Sequence, residues 1–199
     1  MSAVDTVKGI QRLLGVAVDG YAGPKTEAAW VALKAAAVQE HSGAIANAVD
    51  ARSEANIKTL HPRVQPLARK LVTEAAADGI TIVITSGTRT YEEQDALYEQ
   101  GRTKPGNIVT NARGGYSSHN FGTAFDFTVF KGGKPVWEGI EYKAVGNLGK
   151  AIGLSWGGDW SSPDEPHLYL KPDWAKDFSE AQMMTGLRDR HSNGQDAFA

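Results

Sequence analysis

The sequence predicts an α+β fold: a small, mostly antiparallel sheet with packed helices, preceded by a small all-helical module. Three observations predict it. Apolar residues recur at helical spacing in several stretches, Val64, Leu67, Ala68, Leu71, Val72 and Ala75 among them. "ITIVITSG" alternates Ile80, Ile82 and Ile84 in strand fashion. The later strands come in hairpin-like succession, which favours antiparallel pairing over a doubly wound parallel sheet.

The elements follow in order. Val7, Ile10, Leu13 and Leu14 form a helical stripe, "VDGYAGP" breaks the chain, and Pro24 suits the first position of a second helix carrying Ala28, Ala29, Val31, Ala32 and Leu33. Residues 37–60 are Ala-rich and polar with Gly43 as a breaker, and read as a linker or a helix. A denser block opens at His61-Pro62. Its helical stripe stops at Asp78-Gly79, and the Ile-rich strand follows. "YEEQDALYEQG" is a polar-faced helix ended by Gly101. A Gly/Asn-rich loop covers residues 103–115. A strand spans about residues 123–130, "KGGK" turns the chain, and a helix covers about residues 142–152. Short strands at residues 154–156 and "HLYL" close the block. The chain from Phe178 onward is helical at first and then polar and frayed. The expected organisation is a helical module at 1–36, a linker or helix at 37–60, a main domain at 61–176, and a C-terminal helix and tail at 177–199.

Composition limits the function. The chain has 199 residues, 41% hydrophobic and 22% charged, an ordinary globular balance. A net charge of -2 with no basic run gives no pull toward nucleic acid. No apolar run approaches the ~20 residues of a membrane span, and "MSAVDTVKGIQRLLG" lacks the basic and apolar regions of a signal peptide. A monomer is expected, with no nucleic acid and no membrane among its partners. There are no cysteines, which excludes disulfides, thiol catalysis and cysteine metal sites. Any zinc must rest on His, Asp or Glu, a donor set that suits catalysis more than a closed structural site.

"SSHNFGTAFDF" places His119 and Asp126 seven residues apart. Asp126 stands in a strand whose two faces both read as apolar, so the acid is expected to be buried. A buried carboxylate costs several kcal/mol unless compensated. A metal held by His119, Asp126 and a later histidine, His167, would compensate it and leave one position open. On residues alone, a plain His–Asp hydrogen bond or a turn-forming aspartate is the stronger explanation of the pair. Arg89 follows a strand end. It reads either as a surface partner of Glu92 or Glu93, or as a cation that stabilises an oxyanion or grips a carboxylate. Asp164 and Glu165 sit in "SPDEP", which reads either as a solvated turn or as the source of a general base. Spacing does not separate the two acids. Trp156 and Trp160 are aromatic candidates for the cleft or the core.

Ser117, His119, Gly122, Ala124 and Asp126 fill the five fixed positions of S-x-H-x-x-G-x-A-x-D. The string resembles the LAS metallopeptidases, which include VanX and VanY D,D-peptidases and phage L-alanyl-D-glutamate endopeptidases. "ITSGTRTYEEQDALYEQGR", "GLSWGGDW" and "DEPHLYL" extend the resemblance over roughly residues 61–174. It implies one zinc on His119, Asp126 and His167, Asp164 as general base, Arg89 as the catalytic cation, and Ser117 and Trp156 near the substrate. An Asp at the base position is more like the phage branch, since many VanX-like members carry Glu there. The first 35 residues resemble a short peptidoglycan-binding repeat, through Ile10-Gln11, Leu13 to Val16, Val18, Asp19, Gly20, Gly23, Pro24, Thr26 and Ala29. Asp19, Gly20, Gly23 and Pro24 are its expected wall contacts. The resemblance implies a phage endolysin that cuts the L-Ala–D-Glu bond of peptidoglycan stem peptides. It would accumulate in the host cytoplasm and reach the wall through a holin. The alternatives are a VanY-like D,D-carboxypeptidase or a non-catalytic wall-binding protein.

Overall fold

The structure is a computed structural model that describes Gln11, Val18, residues 23–29 and residues 49–199. It divides into two units, one ending at Asn47 and one beginning at Ala48. In the first unit residues 24–29 are helical, with Pro24 at the start, where its missing N–H costs nothing. Glu27 N–H donates to the Gly23 carbonyl (3.0 Å). Gln11 and Thr26 are buried and joined by a side-chain hydrogen bond of 3.1 Å. Of the helix expected around residues 7–14 only Gln11, which is helical, is described, and the wall contacts Asp19 and Gly20 lie outside the described residues.

The second unit contains helices α1 (Ala51–Thr59), α2 (Gln65–Ala77), α3 (Tyr91–Glu99), α4 (Ile140–Ala151) and α5 (Glu180–Ser192). Its strands are β1 (Thr81–Ser86), β2 (Ala124–Lys131), β3 (Lys134–Val136), β4 (Ser155–Trp156) and β5 (His167–Tyr169). The sheet order is β1-β2-β5-β4, with β3 pairing β2, and every pairing is antiparallel. The expected α+β architecture is therefore observed.

The boundary expected at His61 needs correction. The second unit starts before α1, because α1 is built into it. Asp50 caps α1, accepting from the Arg52 and Ser53 N–H groups (3.0 Å each). Ile57 is fully buried in the core. On the free edge of β1, Ser53 Oγ accepts from Ile84 N–H (2.8 Å) and Asn56 Nδ2 donates to Ile84 O (2.8 Å). The helix thus covers a sheet edge that would otherwise present unpaired backbone groups.

The main core lies where the sheet meets α1, α2 and α4, around Leu71, Ile84, Phe125, Phe127, Tyr142 and Leu168. A second cluster joins Ala124 and Tyr169 to Met183 and Leu187 of α5. The C-terminal tail is not frayed. Phe198 is an apolar anchor in a polar stretch, 6% exposed, with its ring 4.5 Å from that of His61. Asp196 pairs with His61 Nε2 at 2.9 Å, and Trp174 Nε1 donates to Ala197 O at 2.9 Å.

Candidate metal centre

Asp126 and His167 are directly paired in the β2–β5 register. Adjacent antiparallel strands hold paired side chains about 4.5–5.5 Å apart at Cβ, so strand pairing alone brings two of the three expected ligands together. His119 comes from a short 3-10 helix, Ser118–Phe121, just ahead of β2. Gly122 ends that helix with φ 68°, and a Cβ there would lie 2.9 Å from the His61 backbone nitrogen. The same nitrogen donates to Gly122 O (3.0 Å), so only glycine permits both the turn and the approach.

The ligating atoms converge closely. His119 Nε2 lies 3.2 Å from Asp126 Oδ1 and 3.2 Å from His167 Nδ1, and His167 Nδ1 lies 3.1 Å from Asp126 Oδ1. The opposite ring nitrogens are engaged elsewhere. His119 Nδ1 donates to Gly87 O (2.7 Å), and His167 Nε2 pairs with Ser118 Oγ (3.1 Å). Those engagements leave His119 Nε2, His167 Nδ1 and Asp126 Oδ1 facing one another, an arrangement that suits a cation at their centre. Zinc bonds of about 2.0–2.1 Å in tetrahedral geometry need donor atoms about 3.3 Å apart, so the set fits zinc closely.

Asp126 differs from expectation in one respect. It is not fully enclosed: its side chain is 20% exposed and faces a cleft of about 530 Å³. Burial alone would raise its carboxyl pKa. Charge and hydrogen bonding from His119 and His167 outweigh burial and hold it well below the ordinary value. Opposite Asp126, the β1 ladder shifts register between Ile84 and Ser86. Such irregularities re-aim side chains beside active sites. Here Ser86 Oγ accepts from Arg89 Nε (3.1 Å) and Nη2 (3.0 Å).

Arg89 does not take the surface role. Its Nη2 donates to Asp126 Oδ2 (2.6 Å), while Glu93 caps α3 by accepting from Thr90 N–H (2.8 Å). Sequence reasoning missed Gln94. It is fully buried, accepts from Arg89 Nη1 (3.0 Å), and donates to Ala112 O (2.8 Å) in the loop before His119. In the sequence it is one polar residue among others on a polar-faced helix, with no signal of its burial. Asn120 is similar, donating to the Arg89 and Thr90 carbonyls (3.0 and 3.2 Å).

Asp164 lines the cleft with Arg89, Ser117, His119, Asp126 and His167; Glu165 is not among the lining residues. Gly157 lets the Asp164 turn close in, since a Cβ there would lie 2.6 Å from Asp164 O. Partial burial raises the Asp164 carboxyl pKa, and the nearby Asp126 charge adds to that, against lowering by His167, His119 and Arg89. Trp156 requires a correction. It is 5% exposed, belongs to the core, and donates from Nε1 to Glu165 O (2.7 Å). Trp160 is the tryptophan that reaches the cleft on this side, with its ring 5.1 Å from that of His167. Glu180 and Met184 of α5 also line the cleft. Tyr169 donates to Glu180, and burial together with that carboxylate pushes the tyrosine pKa up to about 12.

A cleft floored by two histidines and an aspartate, with a second carboxylate and an arginine on its walls, defines a metallopeptidase. The VanY family profile, described as D-alanyl-D-alanine carboxypeptidase, matches residues 57–144. Peptidoglycan L-alanyl-D-glutamate endopeptidase CwlK of Bacillus subtilis (strain 168) is 47% identical over 125 residues, covering 57% of this chain and 74% of that protein. The chain belongs to the VanY peptidase family and is a zinc metallopeptidase. The L-alanyl-D-glutamate peptidase of Listeria phage A118 is 33% identical over 124 residues, covering 59% of this chain and 40% of that protein. The crystal structure of the Serratia marcescens L-Ala D-Glu endopeptidase ChiX aligns with a TM-score of 0.48 at 24% identity, over 60% of this chain and 86% of that one. The profile match holds Arg89, Ser117, His119 and Asp126 but stops before Asp164 and His167, which the fold brings to them. No helix among the described residues is long and apolar enough to cross a membrane.

Proposed function

We propose that this protein hydrolyses the L-Ala–D-Glu bond of peptidoglycan stem peptides. The observation that carries the chemistry is the convergence of His119 Nε2, Asp126 Oδ1 and His167 Nδ1 within 3.2 Å of one another in an open cleft. The choice of bond rests on the relationship to CwlK. His119, Asp126 and His167 would hold a zinc ion, which when bound would supply Lewis acidity for the carbonyl and lower the pKa of a water to about 7. Asp164 takes the proton of the water that forms the new C–O bond, and passes it to the amine nitrogen as the C–N bond breaks. Its raised pKa makes it the stronger base for the first step, while its acid form remains strong enough to protonate the departing amine. Arg89 holds the Asp126 carboxylate and brings positive charge toward the tetrahedral oxyanion. Ser117 is the candidate hydrogen-bonding residue for the substrate backbone.

Biologically, we read the protein as a phage endolysin held on the wall by its N-terminal helical module, with Asp19, Gly20, Gly23 and Pro24 at the contact. Tethering raises the effective concentration of a weak binder on an insoluble substrate. The Listeria phage relative supports this reading. Release from the host cytoplasm through a holin follows from it. The second reading, D,D-carboxypeptidase action, is favoured by the description of the matching family profile.

Two soluble peptides test the choice. The zinc-loaded protein is expected to split N-acetyl-L-Ala–D-Glu–diamino acid peptides between the first two residues. It is expected to leave the terminal D-Ala of a pentapeptide in place, as read by mass spectrometry. Release of D-Ala with an intact L-Ala–D-Glu bond would assign it to the carboxypeptidases.

A further inference from the structure

Trp137 lines the same cleft, just past the end of β3, yet 73% of it stays exposed. An indole left in water forgoes the burial that aromatic side chains normally gain, and exposed apolar side chains grouped on one cleft mark a binding surface where a lone one does not. Tyr116 (59% exposed) and Val109 reach the cleft from the loop before His119. Thr85, Thr110 and Thr128 add hydroxyls to the lining, with Thr85 Oγ1 and Thr128 Oγ1 3.3 Å apart. All six side chains are uncharged. Aromatic faces beside hydroxyls suit a neutral ligand with one apolar C–H face and a polar edge. A pyranose ring has that chemistry.

We propose that Trp137 forms a saccharide subsite that stacks on the N-acetylated sugar bearing the stem peptide. The proposal rests on the L-Ala–D-Glu reading above. In that substrate the scissile carbonyl is one residue from the lactyl group of the sugar, and one residue spans at most about 3.6 Å. The sugar must therefore lie at the mouth of the cleft. For a bond between the terminal D-Ala residues it would sit three residues further off, on the order of 10 Å. An L-Ala–D-Glu endopeptidase thus meets the sugar as part of its substrate, and an exposed tryptophan on the cleft wall has a partner to cover it.

The test compares muramyl-L-Ala–D-Glu–diamino acid with the same tripeptide carrying an N-acetyl cap. Wild-type protein is expected to favour the muramyl peptide in kcat/KM by about tenfold, the size of effect typical of a tryptophan at a binding hot spot. Trp137→Ala should lose that preference. It should keep its rate on the acetylated peptide, its zinc content and its melting temperature, because the side chain is mostly exposed. Equal rates on the two peptides for the wild type, or an equal loss on both for the variant, would overturn the subsite. Calorimetry separates this from failure of the parent reading. The slowly cleaving Asp164→Ala protein should bind the muramyl tripeptide more tightly than the Asp164→Ala, Trp137→Ala protein, whichever bond the wild type cuts. Equal binding would remove the subsite; tighter binding without L-Ala–D-Glu cleavage by the wild type would keep it and remove the endopeptidase reading.

Discussion

Asp126→Ala is expected to abolish both zinc binding and turnover. The substitution takes one of three converging donors and also the partner of Arg89 Nη2. Loss of an outer-shell contact in a metal site typically costs 10–100-fold in affinity, so loss of a direct ligand should cost more than about 100-fold. Chelator competition measures the affinity, and peptide hydrolysis measures the turnover. Chelation of the wild type should have the same effect on turnover, and added zinc should reverse it. Full hydrolysis by the chelated protein would exclude the metal assignment. The opposite ring nitrogens of His119 and His167 remain held by Gly87 O and Ser118 Oγ. The variant should therefore fold with its histidines in place, so a lost activity reports on the metal and not on collapse of the cleft.

Asp164→Ala should separate binding from chemistry. Its carboxylate lines the cleft without belonging to the three converging donors. Zinc affinity is then expected to stay within a few fold, while kcat falls by about 10²–10⁴, the usual contribution of a positioned general base. The raised pKa of Asp164 gives a further signature. The base works deprotonated, so wild-type activity should fall as pH drops through a value above the ordinary aspartate range. Asp164→Ala should lack that dependence in its residual rate. Retained turnover in Asp164→Ala would pass the role to Glu165 or to no side chain.

Much of the site was legible because it rests on local spacing. His119 and Asp126 are seven residues apart, and the glycine and alanine between them are small for reasons that the structure makes explicit: Gly122 closes a turn against His61, and Ala124 is fully buried. The strands could be read from alternation, and antiparallel succession made the Asp126–His167 pairing natural. What could not be read depends on contacts between distant segments. Trp156 and Trp160 look alike in sequence, yet one closes the core and the other faces the cleft. Only the positions of β4 and β5 decide between them. Gln94 is polar on a polar-faced helix, and nothing local marks it as the buried link between Arg89 and the loop before His119. The role of α1 was hidden because Ser53 and Asn56 are ordinary helix-surface residues until β1 lies beside them. The tail reads as frayed for a similar reason, since a single phenylalanine near its end, Phe198, anchors an otherwise polar stretch to His61 only in the fold.

End-group analysis of purified sacculi digested by the zinc-loaded protein tests the central claim most directly. The account predicts new amino-terminal D-glutamate ends that rise with digestion, disappear on chelation and return with added zinc. Free D-alanine without new D-glutamate ends would contradict it.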